Sequence, residues 1–243
     1  MKVKQYKPLN IALTALFIIA VVVLIVTFSI GLPIYCRFFY YIQIKTLGLE
    51  QKTGWDYATI KAAYDEVLDF CTLPNKPFGA GALKWSEEGA AHFADCKVLF
   101  DLNFYGLLCS SIVCAALALL HRFKVITLCR PLKRSAYFVA AVASLALSVT
   151  VVAVVGIACA VDFDKAFEVF HSLFFPGKSN WQFNPYTDQI ILVMPEEFFL
   201  NCAILIGAAL IAIPSALIAL DVLLARRKLK REQESDGQES DSQ

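Results

Sequence analysis

Only three histidines occur in the 243 residues, and charged side chains make up just 18% of them. There is no Cys-x-x-Cys and no His-Glu-x-x-His, so the spacings that mark structural zinc sites and zinc peptidases are missing. No glycine-rich phosphate loop or serine-hydrolase signature is present, and no basic stripe that would suit nucleic acid. The long apolar runs carry almost nothing ionisable, only Asp221 near the end of the last one. Pumps and carriers keep charged groups at mid-membrane, so a transporter fits poorly. Eight cysteines are no disulfide framework: Cys109, Cys114, Cys159 and Cys202 fall in apolar runs, where Cys behaves as a small apolar residue. Cys129 lies in a basic link. Cys36, Cys71 and Cys96 share one long loop, cannot all pair, and leave a Cys71–Cys96 bridge open.

Apolar residues, 58% of the chain, dominate what remains. Four runs, Leu9–Leu32, Leu102–Leu120, Ala136–Val161 and Phe199–Leu224, reach the ~18 residues that a helix needs to cross ~30 Å of hydrocarbon. Lys and Arg mark the cytoplasmic side. Lys2, Lys4 and Lys7 precede the first run; Arg122, Lys124, Arg130, Lys133 and Arg134 link the second and third; Arg226, Arg227, Lys228, Lys230 and Arg231 follow the fourth. The other two connections are richer in acids. The expected protein is all-α, with four transmembrane helices (9–32, 102–120, 136–161, 199–224) and two extracytoplasmic loop regions (33–101, 162–198) forming a small helical cap. The N-terminal tail (1–8), a short loop (121–135) and a disordered tail (225–243) are expected in the cytoplasm. The first run is longer than a signal-peptide core and is followed by no small-x-small site, so it reads as an uncleaved anchor.

Within the first outer loop, Thr53-Gly54-Trp55-Asp56 has capping-box spacing. Tyr57, Ile60, Tyr64, Val67 and Leu68 then recur at helical spacing, which predicts an amphipathic helix ending near Phe70 and lying on the outer rim or the headgroups. Ser86, followed by Glu87 and Glu88, predicts a helix start that leads into the second span. That places His92 ten residues before Leu102, ~15 Å above the apolar run, with Asp95 on its face. In the second outer loop Phe163, Phe167, Phe170, His171 and Phe174 form an aromatic stripe at helical spacing, which suits an interfacial or packing face but does not account for the histidine. Asn180-Trp181-Gln182-Phe183 and Asp188 follow, and Pro195-Glu196-Glu197 predicts the last helix with Pro at its first position. His92 and His171 thus stand at the same height on the same side. Imidazole is the side chain suited to moving protons near neutral pH.

These residues carry a resemblance. Phe170-His171-Ser172-Leu173-Phe174-Phe175, Asn180-Trp181-Gln182-Phe183, Asp188 and Pro195-Glu196-Glu197-Phe198-Phe199 resemble the second outer loop of the bacterial lipoprotein intramolecular transacylases. His92-Phe93-Ala94-Asp95-Cys96-Lys97 is similar to that family's His-x-x-Asp-Val-Lys motif, with Cys96 in place of Val. The resemblance implies a multi-pass protein of the bacterial cytoplasmic membrane with its active site on the outer face. Its implied substrates are diacylated lipoproteins within membrane lipid, whose sn-2 acyl chain moves from glycerol to the α-amine of the N-terminal cysteine. It implies His92 and His171 as the catalytic pair, with no cofactor and no metal. The chemistry suits those residues: an α-amine of pKa ~8 needs only a modest base, and a second imidazole opposite can protonate the departing glycerol oxygen. Asp95 is expected to hold the tautomer of His92, and Asn180 or Trp181 to position the glyceryl group or the oxyanion, with Asp188 also in support. Two other classes share the pattern. One is a non-catalytic four-span scaffold or receptor; the other is a metal-dependent membrane hydrolase using His92, Asp95 and His171. The residues say nothing about oligomeric state.

Overall fold

The computed structural model describes residues 7–131 and 134–240. Lys2, Lys4 and Lys133, read above as topological basics, and the end of the tail lie outside the described residues. Among the described residues all regular structure is helical: α1 (Pro8–Tyr35), α2 (Arg37–Thr46), α3 (Leu49–Thr53), α4 (Tyr57–Thr72), α5 (Glu87–Arg122), α6 (Ala136–Val161), α7 (Phe163–Phe174), α8 (Ile190–Val193) and α9 (Glu196–Ser240). Four of them, α1, α5, α6 and α9, are long and apolar enough to cross a membrane and contain the four runs. The protein is an all-α, multi-pass membrane protein.

Two compact units divide the chain. One comprises Met1–Val26, Cys109–Thr150 and Ala209–Gln243. Its core is Phe17, Leu117, Leu128 and Ala136, with Phe17 edge-on to Tyr137 at 4.8 Å. Thr14 Oγ1 accepts from the backbone N–H of Cys129 at 2.8 Å, pinning the basic link. Asp221 accepts from Ser135 Oγ at 2.5 Å, and Ser135 Oγ in turn accepts from the N–H of Phe138. The one carboxylate in an apolar run thus serves the N-terminus of α6. The tail expected to be disordered (225–243) instead continues α9 to Ser240 among the described residues. Arg, Lys, Leu, Glu and Gln, which fill positions 226–233, are good helix formers and extend a helix that the span has already nucleated.

The other unit, Thr27–Leu108 and Val151–Ala208, holds the cap and the histidines. Its core gathers Tyr40 and Ile44 of α2, Leu49 of α3, Ile60, Ala63, Tyr64, Val67 and Leu68 of α4, Phe93 of α5, Ile190 and Val193 of α8, and Phe198 of α9. Tyr40 stacks on Tyr64 at 3.7 Å, and its hydroxyl donates to the Val193 carbonyl at 2.6 Å. This corrects two expectations. The amphipathic helix is no rim helix: its apolar face is the centre of the cap, because α2, α3 and α8 supply its partners. Nor is Thr53 its cap. Thr53 ends α3, and Asp56 caps α4 by accepting from the N–H of Thr59 at 2.7 Å. Gly81, at φ +58, lies against α4: a Cβ there would stand 3.2 Å from the Ala63 backbone nitrogen, so both the conformation and the space favour glycine. The last span helix begins at Glu196, so Pro195 precedes its first position, and its acids occupy the first turn as expected.

Candidate active site

Ser86 does start α5. Its Oγ accepts from the N–H of Gly89 at 3.0 Å, and α5 then runs unbroken from Glu87 past Leu102. His92, Asp95 and Cys96 therefore stand on a rigid extension before the apolar run proper. On the other side, α7 begins at the Asp162 cap, whose carboxylate accepts from the N–H of Lys165 at 2.9 Å. The aromatic stripe of α7 splits in two. Phe170 and Phe174 are exposed, while Phe167 and His171 turn inward, and His171 is the buried residue of that helix.

The inward turn brings the two histidines together. Their rings lie 5.7 Å apart at 37°, and each residue is only 6% exposed. Phe175 and Phe183 meet the edge of His92 at 5.0 and 5.4 Å. Trp181 lies almost parallel to His171, 4.5 Å away at 25°. Burial among these rings disfavours the charged form of both. It holds His92 down at about 4, helped by the neighbouring His171 and opposed by Asp95. His171 is depressed for the same reason, with its hydrogen bond to the Phe167 carbonyl working the other way. That bond spans 2.8 Å from Nδ1. A carbonyl only accepts, so Nδ1 carries the hydrogen and Nε2 keeps a lone pair. For His92 the arrangement differs: Nε2 lies 3.4 Å from Cys96 Sγ, and Nδ1 is buried with no hydrogen-bond partner among the described residues.

The supporting residues depart from expectation. Asp95 does not hold His92. Its carboxylate takes an ion pair from Lys178 Nζ and a hydrogen bond from Asn180 Nδ2 at 3.1 Å, which tie the second outer segment to α5 and keep its pKa below the usual carboxylate range. Trp181 donates its indole N–H to the Lys178 carbonyl at 3.1 Å and serves as the floor under His171. Asp188 is buried and accepts from Ser86 N and Oγ, both at 2.8 Å. It is a second tie between the same two segments. Among the described residues no three His, Cys, Asp or Glu side chains converge as metal ligands. Asp95 is committed to Lys178 and Asn180, so the trio of the hydrolase reading is not assembled. Cys71 and Cys96 are free thiols. A cavity of about 520 Å³ lined by Tyr35, Lys97, Phe100 and Tyr105 includes neither histidine. Cys96, Lys178 and the Phe167 carbonyl escaped the sequence reading. Two of them lie four residues from a histidine on its own helix, a spacing that could have flagged them.

The model of one family, described as lipoprotein intramolecular transacylase Lit, matches residues 15–199. The chain belongs to that family. It is therefore a membrane-embedded acyltransferase of the lipoprotein-modifying class, and lipoproteins and membrane lipid are its partners. None of the curated proteins matches it. Three solved structures of the Bacillus cereus transacylase are similar, all at 21% identity. One has a TM-score of 0.76 and covers 93% of this chain and 98% of its own. The other two, in which one histidine is replaced by alanine or by arginine, have TM-scores of 0.72 and cover 91% and 92% of this chain and 96% and 95% of their own. At that identity the likeness concerns the fold, which agrees closely.

Proposed function

We propose that the chain transfers the sn-2 acyl group of a diacylglyceryl-cysteine lipoprotein to the α-amine of that cysteine, giving a lyso-form N-acyl lipoprotein without a cofactor. The observation that carries this reading is the pair of buried imidazoles 5.7 Å apart on two rigid helices. Ester and amine belong to one molecule, so holding them together supplies much of the rate, up to ~7–11 kcal/mol in the best intramolecular cases. Nε2 of His171, the lone-pair nitrogen, takes a proton from the amine as its nitrogen bonds to the ester carbon. The carbonyl oxygen gathers charge, and the buried N–H of His92 donates to it. The C–O bond to glycerol then breaks, and His171 returns the proton to the glycerol oxygen. A neutral imidazole can polarise a carbonyl in this way. The one-base, one-acid division expected from the sequence thereby becomes a single proton shuttle at His171 with a neutral donor at His92, because burial keeps His92 uncharged.

The product is an isomer of the substrate, so total mass does not distinguish them. Expressed in a bacterium lacking its own transacylase, the chain should yield lipoprotein N-terminal peptides that keep one acyl chain as an amide after mild alkaline cleavage of esters. Peptides that lose both chains to that treatment would refute the transfer. The reaction also requires both termini in the cytoplasm and both loop regions outside, since lipoproteins present their N-terminus at the outer face. An impermeant thiol reagent on intact cells should label Gln182→Cys above the background of the parent chain and leave Ser235→Cys unlabelled. The opposite pattern would put the histidines in the wrong leaflet.

A further inference from the structure

We propose that Cys96 is a positioning residue: its thiol donates to Nε2 of His92 and fixes that imidazole as the tautomer with its hydrogen on Nδ1. This rests on the transfer reading above and deepens it by assigning the donor nitrogen.

The geometry starts from spacing. His92 and Cys96 are four residues apart on α5, so their side chains share one face, and Sγ stands 3.4 Å from Nε2. The ring's other close neighbours are His171 and the apolar rings of Phe93, Phe175 and Phe183, none within hydrogen-bonding range. Asp95, the neighbour best suited to orient an imidazole, is occupied by Lys178 and Asn180. Cys96 is therefore the partner that distinguishes the two ring nitrogens. Among the described residues the thiol has no other hydrogen-bond acceptor than Nε2. A thiol donating to an imidazole lone pair satisfies both groups; with the ring reversed, the thiol hydrogen would have nowhere to go. Burial pushes the Cys96 thiol up to about 12, so it keeps its hydrogen at any working pH.

The consequence is at the opposite nitrogen. Nδ1 is buried on a residue 6% exposed and has no hydrogen-bond partner among the described residues. An unsatisfied buried N–H is costly, and substrate relieves that cost by bringing an acceptor. With the hydrogen fixed there, the ester carbonyl finds a donor already in place.

The test uses the full-length protein in detergent micelles, with ¹⁵N-labelled histidine, and reads the imidazole nitrogens by NMR beside the transfer rate. The wild type should show His92 protonated at Nδ1 and bare at Nε2. Cys96→Val, which keeps the volume, should move His92 toward the other tautomer and slow transfer by ~10–100-fold, the range that outer partners of functional histidines usually command. Cys96→Ser restores a donor and should restore both readouts. An unchanged tautomer in Cys96→Val would overturn the proposal, as would a changed tautomer with an unchanged rate. Total loss in both variants, with an acyl thioester trapped on the wild-type thiol, would make Cys96 a nucleophile and also overturn it. If the wild type shows the Nδ1–H tautomer but transfers no acyl chain, the functional reading fails and the tautomer assignment stands.

Discussion

Replacing either His92 or His171 with alanine should abolish formation of N-acyl lyso-lipoprotein, while expression and melting in detergent stay near those of the parent. A general base or acid is typically worth ~10²–10⁴ in rate, and a donor to a developing oxyanion ~10²–10³. The two act on one transition state, so their losses should not add, and the double variant should be scarcely slower than either single one. His121 is the internal control. It sits at the far end of α5, where its Nδ1 accepts from the N–H of Leu128 at 3.3 Å, and His121→Ala should leave transfer unchanged. The acid side of the rate profile adds a second check. His171 acts only while neutral, and burial depresses its pKa below the usual ~6.5. Loss of rate attributable to this base should therefore begin below pH 6.5, not at it. Folding stability should move in the same direction. The unfolded chain takes up protons that the buried rings refuse, so the stability present above pH 6.5 is lost as the pH falls toward the value of about 4 for His92. Full conversion by both alanine variants would remove the basis of the mechanism, although the fold would stand.

Much of this site was legible before the structure. The four spans follow from apolar length alone, and the two histidines from their equal height above the runs that flank them. The start of α5 at Ser86 followed from a cap and two acids. What sequence could not show is which way a helix faces once it finds partners. The α4 stripe, read as a rim surface, is the middle of a core because Tyr40 of α2 and Ile190 and Val193 of the four-residue α8 pack against it. The α7 stripe was read as one face, yet it divides: Phe170 and Phe174 look outward, while Phe167 and His171 look in. Asp95 was assigned to His92 by proximity along one helix. The cation that claims it, Lys178, comes from a segment 83 positions away, and no local pattern foretells such a pairing. Asp188 was singled out through resemblance alone, and its role as a tie across two segments emerged from the structure.

That tie is where the second large effect is expected. Asp188 is 4% exposed, and its carboxylate accepts from Ser86 N and Oγ, and from Thr187 Oγ1 at 2.8 Å. Ser86 Oγ then caps α5 through Gly89 N, so one carboxylate holds the second outer segment against the first turn of the helix that carries His92. Gly89 is part of the fit: a Cβ there would stand 2.2 Å from Asp188 Oδ1. Asp188→Ala strips the Ser86 N–H and hydroxyl of a buried partner, at ~1–3 kcal/mol for an unsatisfied group, and weakens a cap worth ~0.5–2 kcal/mol. The charge lost also stood at a helix N-terminus, where a carboxylate is favoured. The expected result is a clear drop in the unfolding midpoint and a fall in transfer of ~10²-fold, the cost of an ångström-scale misplacement of reacting groups. Gly89→Ala should do nearly the same by displacing the carboxylate instead of deleting it. Because both changes break one contact, the double variant should lose much less than the sum of the two. Asp188→Asn keeps the shape and one acceptor oxygen and should fall between. A displaced histidine pair would show itself as a lower kcat in protein that is still folded at the assay temperature. If Asp188→Ala retains both the stability and the rate of the parent, the tie between the two segments does not position the histidines.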